Sequence, residues 1–221
     1  GSGTVSSANV QNNQSVTIGS IAIADGSGGG LASNYNLTTG TFDISQKWVS
    51  VSGQKIYDAT TTVSSSDLEV TGEVTGESIS ITGTGSVTDK NVGSGKTIDI
   101  SGLSLSDGSH SASNYTIGTT SFAITRRNLS ISGEKVYDGT GTVLASQIDT
   151  VNTAGGETLT ISGEGSVSLP SVGTNKSITL NTLGISDGTN GTIGLASNYT
   201  LDSGSFDITT KPITLTGSRQ Y

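Results

Sequence analysis

Three observations predict a mainly β protein made of small tandem modules. First, motifs recur at a fixed spacing. SGQKIY, SGEKVY and TGSRQY end at Tyr57, Tyr137 and Tyr221; SNY ends at Tyr35, Tyr115 and Tyr199; TFDI, SFAI and SFDI place Phe42, Phe122 and Phe206. All three motifs share steps of 80 and 84 residues, a period that marks a repeat architecture. Second, apolar residues alternate with Ser, Thr and Asp, the period of a strand with one buried face. Third, the 221 residues include 32 Gly but only two Pro and 13% charged residues, which suits many short strands joined by Gly-containing turns.

The columns divide the chain as follows. Residues 1–46 match the latter part of a copy, since GSGTV aligns with GTGSV and GEGSV. Residues 47–126 and 127–210 are full copies, and residues 211–221 match the start of another. Such phasing is expected of a piece cut from a longer array. Within a copy, Val49/Val51, Ile79/Ile81, Ile98/Ile100, Leu103/Leu105 and Phe122/Ile124 each alternate. Their counterparts are Leu129/Ile131, Leu159/Ile161, Ile178/Leu180, Leu183/Ile185 and Phe206/Ile208. About five strands per module follow, and the Val, Ile and Thr content favours strand over helix. At most one short helix or helical turn per module is expected, over Leu144–Val151 and the matching Ser64–Val70. The loop after the SDG turn absorbs the length differences between copies, which predicts an exposed, tolerant segment. An immunoglobulin-like sandwich and a β-solenoid are alternative folds; no sub-period of ~20 residues, as a solenoid coil would need, occurs inside the 80.

Net charge of −8 excludes the basic stripe that nucleic acid requires. No apolar run approaches the ~20 residues of a membrane-spanning helix, so membrane insertion is not expected. Cys and Met are both absent, which fits export to an oxidising place where a stray thiol would cross-link.

Recurring aromatics are expected as core anchors, because each buries a large apolar area. The anchors are Tyr35, Phe42, Tyr57, Tyr115, Phe122, Tyr137, Tyr199, Phe206 and Tyr221, with Asp58 and Asp138 in tight turns beside two of them. Trp48 alone does not recur; its counterparts are Asn128 and Pro212. It is the candidate for stacking on a sugar ring, or else for a contact between modules. No enzyme is expected: the single His110 lies in the variable loop, no Cys is present, and no Ser has a nucleophile-elbow context. No cofactor is expected either. The calcium candidates are Asp25, Asp107 and Asp187 in recurring Asp-Gly turns, although each turn offers one carboxylate where Ca²⁺ takes six to eight oxygens.

At GEKVYDGT (133–140) and GQKIYDAT (53–60) the chain resembles the YDG-type repeats of large bacterial adhesins, which are similar to mostly-β-grasp repeats. Ala59 departs from the motif in one copy. The resemblance implies β-grasp-like modules in an elongated array. It further implies a filamentous-haemagglutinin-like or biofilm-matrix adhesin, secreted or at the surface of a Gram-negative bacterium. In that setting the modules are expected to extend a stalk, each adding roughly 30 Å, with neighbouring repeats of the same chain as partners. Direct binding of polysaccharide or a cell-surface receptor is the alternative.

Overall fold

The computed structural model describes residues 1–221, the side chain of Ser203 excepted. It is mainly β, with several small sheets and only three-residue 3-10 turns as helix. The chain forms two compact units that interleave along the sequence: residues 1–53, 63–86 and 97–121 make the first, and residues 54–62, 87–96 and 122–221 the second.

In the second unit the central sheet runs in the order Ile148–Val151, Arg127–Val136, Tyr199–Thr209, Gly173–Ser177. Its two middle strands are the first and last of their copy and pair in parallel, from Arg127 opposite Tyr199 to Val136 opposite Thr209. The outer strands are antiparallel to them. Parallel neighbours need a long crossover. Here the crossover is itself β: Thr142–Leu144 pairs with Glu164–Ser166, and Leu159–Ser162 with Gly184–Asp187. Alternation along the strands buries Leu129, Ile131, Phe206 and Ile208; the last three pack against Val143, Ile148, Val167, Ile178 and Leu183. The order second, first, last, third among the strands of this sheet, with a parallel centre, is that of a β-grasp sheet, with short strands forming the crossover.

In the first unit Ser50–Gly53 pair antiparallel with Leu68–Thr71, and Ile79–Gly83 with Leu103–Asp107. Val49, Ile79 and Tyr115 form a buried cluster. Residues 1–46 contribute a two-stranded ribbon, Gln11–Ser15 with Thr41–Ile44.

The helix candidates take the shorter of their two forms: 3-10 turns at Ser65–Asp67 and Ala145–Gln147 that pass directly into strands Leu68–Thr71 and Ile148–Val151. Leu68 and Ile148 already have extended backbone, and the Gln147 side chain reaches back so that its Oε1 accepts the Leu144 N–H at 2.9 Å. The turn also presses on its neighbour. A Cβ on Gly53 or Gly133 would lie 1.9 or 2.0 Å from the Asp67 or Gln147 carbonyl oxygen, so only Gly fits the SG pair of the motif. The alternative folds are set aside as well. A parallel central pair is foreign to the antiparallel sheets of an immunoglobulin-like sandwich, and the antiparallel pairs are foreign to a parallel β-helix.

Candidate functional site

The YDG motif builds a lysine-centred turn. Lys55 Nζ donates to Asp58 Oδ2 at 3.1 Å, to Thr60 Oγ1 at 2.9 Å and to the Thr62 carbonyl at 2.6 Å. Lys135 repeats this on Asp138, Thr140 and the Thr142 carbonyl at 3.1, 3.0 and 2.7 Å. Asp58 and Asp138 each accept the N–H and the hydroxyl of the Thr two residues on. These hydrogen bonds, led by the Thr140 N–H and then Lys135, hold the Asp138 carboxyl down at about 2. The residue after the Asp has φ of +65° at Ala59 and +85° at Gly139, the left-handed region that explains the Gly of the motif. Both lysines have buried stems, and the motif therefore works as a folded clasp.

What the clasp presents is the tyrosine. Tyr57 is fully buried, and its hydroxyl donates to Glu157 Oε1 at 2.7 Å. Tyr199 donates to Glu157 Oε2 at 2.8 Å and accepts the Ala154 N–H at 3.0 Å. Lys90 Nζ lies 2.7 Å from Glu157 Oε1 and 6.0 Å from the Tyr57 ring centre. The two tyrosine rings meet edge to face, 5.5 Å apart. Glu157, whose side chain is 1% exposed, is thus the acceptor of three donors from three separate parts of the sequence. Burial alone pushes its carboxyl up. The hydrogen bonds from Lys90, Tyr57 and Tyr199 outweigh that, and it titrates below its ordinary value. Burial first, then the Glu157 hydrogen bond, raises the Tyr57 hydroxyl; burial and Glu157 lift Tyr199 to about 12. All four residues belong to the second compact unit. They also join the two full copies of the repeat, Tyr57 and Lys90 coming from one and Glu157 and Tyr199 from the next.

A second contact of the same kind lies alongside. Asn198 Oδ1 accepts the Val92 N–H, and its Nδ2 donates to Asn91 Oδ1, both at 2.9 Å. In the first unit Asn114 does the same with Val10 and Asn9, again at 2.9 Å. The Asn of SNY is therefore a link to the preceding copy. The Tyr that follows it hydrogen-bonds Glu77 or Glu157 in its own copy.

Not every anchor lies in a core. Tyr57, Tyr115, Phe122, Tyr199 and Phe206 are buried, but Tyr35, Phe42, Tyr137 and Tyr221 are exposed. Tyr137 has the same clasp as Tyr57 and is 40% exposed, against 0%. Among the described residues no counterpart of Glu157 accepts the Tyr137 hydroxyl. Tyr35 and Phe42 lack the neighbouring strand that covers Tyr199 and Phe206, and Tyr221 ends a segment without hydrogen-bonded structure.

The calcium candidates each close a loop. Asp25, Asp107 and Asp187 accept the N–H of Ala32, Ala112 and Ala196 at 2.7, 2.8 and 2.8 Å, across loops of three different lengths. Among the described residues no group of three or more His, Asp or Glu is gathered for a metal. His110 Nδ1 pairs with Ser109 Oγ at 2.9 Å, and its Nε2 is 3.9 Å from Glu77. Trp48 is 74% exposed, its ring lying against Gly118, where an added Cβ would meet it at 3.1 Å. Among the described residues no helix is long and apolar enough to cross a membrane.

Sequence reasoning missed Glu157 and Lys90. Glu157 carried a signal, because Glu77 stands 80 residues before it in the same column. Lys90 carried none, since Pro170 replaces it in the next copy.

No curated protein and no solved structure matches the chain. The model of the YDG domain matches twice, over residues 45–122 and 125–206, together well over half of the sequence. Those spans contain the clasp, the SNY links and the buried carboxylate. The chain belongs to the YDG domain family.

Proposed function

We propose that these repeats are structural stalk modules of a large bacterial surface or secreted adhesin, holding an adhesive region away from a Gram-negative cell in attachment or biofilm. The supporting observation is the buried joint. Glu157, Tyr57, Lys90, Tyr199 and the Asn91–Asn198 pair tie one copy to the next with directional hydrogen bonds. A floppy tether would not need them. Such a joint resists bending and shear between copies, which is what a spacer under load requires. The acidic surface keeps neighbouring stalks apart. A spacer exchange tests this. Replacing the YDG repeats of the parent protein by unrelated rigid repeats of equal length should restore adhesion that deletion abolishes. Adhesion that returns only with YDG repeats would overturn the stalk reading.

One observation favours a second reading, direct polysaccharide binding. Trp48 rests beside Gly118 and leaves most of its surface to solvent, as a residue available for sugar stacking would. Glycan-array binding lost in Trp48→Ala would support it, and an array without signal would remove it.

A further inference from the structure

The first and last strands of the second full copy, Arg127–Val136 and Tyr199–Thr209, run parallel from the Arg127–Tyr199 pair to the Val136–Thr209 pair. The chain enters this copy at Arg127 and leaves it after Thr209, so entry and exit lie at opposite ends of one ladder. At ~3.3 Å per residue the two points are roughly 30 Å apart along the strands. Tension along the chain therefore draws the first strand toward its start and the last strand toward its end. That is shear, and it loads every hydrogen bond of the ladder together. A pull across the strands would load the same bonds one after another. Apart from one irregularity between Leu129 and Ile131 the ladder is continuous, and the even spacing of parallel bonds spreads the load.

The ladder is also shielded. It is the middle of the sheet, with antiparallel Ile148–Val151 on one side and Gly173–Ser177 on the other. Leu129, Ile131, Phe206 and Ile208, spaced along both strands, are all buried. The YDG clasp supplies its last rung. The Thr209 carbonyl accepts the Tyr137 N–H at 2.9 Å, and the Thr209 hydroxyl donates to the Lys135 carbonyl at 3.2 Å. Thr125 makes the same two bonds to Tyr57 and Lys55 in the preceding copy, at the same distances. Residues 137–198 connect the two strands. They lie behind the ladder and carry no tension until it parts.

We propose that the parallel pair of first and last strands is a mechanical clamp, strong against tension along the chain and weak against the same force applied across the strands. The joint at Glu157 ties one copy to the next; the clamp keeps a copy folded while load passes through it. A spacer needs only its length, so load-bearing is a further function. It stands whether or not the parent protein is an adhesin.

Single-molecule pulling on the full chain in two directions tests the clamp. The chain has no Cys, so handles attach only at introduced thiols, kept reduced until coupling. Asn128, Thr200 and Thr210 are exposed, and circular dichroism of the variants should match that of the parent chain. Asn128→Cys with Thr210→Cys loads the ladder in shear. Asn128→Cys with Thr200→Cys, opposite residues at one end of it, peels it. Forced unfolding reads the unfolding barrier rather than the equilibrium stability, so one fold should give a rupture force several-fold higher in shear than in peeling. The shear rupture should be a single step. Residues 128 and 210 are 210 − 128 = 82 positions apart, which is about 270–295 Å of extended chain less the ~30 Å that the folded ladder already spans. Forces equal in the two directions, or lower in shear, would overturn the proposal. So would shorter steps ahead of the main rupture in shear, because strands behind the ladder would then carry load before it. Either failure leaves the spacer exchange untouched, since that experiment reads adhesion and not unfolding.

Discussion

Replacing Glu157 by Ala removes one acceptor from three donors, and the cost can be built from the geometry. Tyr57 Oη, 2.7 Å from the carboxylate, sits on a fully buried side chain and loses its hydrogen bond. A buried donor left without a partner costs about 1–3 kcal/mol. Tyr199 Oη loses its acceptor but still receives the Ala154 N–H, so its share is toward the low end of that range. Lys90 is 39% exposed and turns to water, so its loss resembles that of a surface pair, about 0–1 kcal/mol. The sum is about 3 kcal/mol, the low end for breaking a buried pair from one side. Tyr57→Phe removes one donor and leaves Glu157 with two, which should cost about 1 kcal/mol. The double variant should fall short of additivity by about 1 kcal/mol, because the Tyr57–Glu157 bond is counted in both single changes. Urea denaturation followed by circular dichroism gives the free energies. Hydrogen exchange at the Val92 amide, held by Asn198, reports the joint itself. A Glu157→Ala loss below about 1 kcal/mol, or full additivity with Tyr57→Phe, would refute the reasoning.

Three further outcomes are expected. Lys135→Met should destabilise the second unit by about 1–3 kcal/mol in urea titration, since it leaves Asp138, Thr140 and the Thr142 carbonyl without their shared donor. Gly133→Ala should cost about 2–3 kcal/mol, because its Cβ meets the Gln147 carbonyl at 2.0 Å. Gly139→Ala has open space around it and a precedent in Ala59, so thermal melting should register only the left-handed strain of about 1 kcal/mol. The pH profile should fall on both sides. Asp58, Asp138 and Glu157 have folded pKa values below their unfolded ones. Their stabilisation is present above about pH 4 and lost as the pH falls toward 2, where Asp138 titrates. Tyr57 and Tyr199 are raised, so their contribution is complete below about pH 10 and lost as the pH climbs toward 12. Melting temperatures flat from pH 2 to 12 would contradict both arms.

The period, the strands and the turns were legible in the sequence because they depend on neighbours close along the chain. Alternation at Leu129/Ile131 and Phe206/Ile208 corresponds to buried strand faces. The Gly of the Asp-Gly pairs at 107–108 and 187–188 marks close backbone approach, since a Cβ on Gly108 or Gly188 would strike the Ser78 or Thr158 carbonyl, while the Asp closes the loop that follows. The third motif column shows a local match as well. Where Asp43 and Asp207 follow the Phe, Asn13 and Asn175 at positive φ donate to them; where Ala123 stands, the matching residue is Gly95. Within Leu144–Val151 the helical turn is confined to Ala145–Gln147; the apolar spacing suits either structure over so short a length, and pairing of Ile148–Val151 with Ser130–Gly133 makes the remainder strand.

The sequence by itself therefore determined a mainly β repeat of fixed period, with a lysine-bearing YDG turn at the end of each first strand. Tertiary structure alone decided what that turn is for. Tyr57 and Tyr137 share their local sequence, yet one is buried and the other half open, because burial is set by what another part of the chain brings to the ring. Glu157 lies 100 residues from Tyr57 and 67 from Lys90 along the chain. A single buried charge needs all its donors together, and only the fold brings them to it.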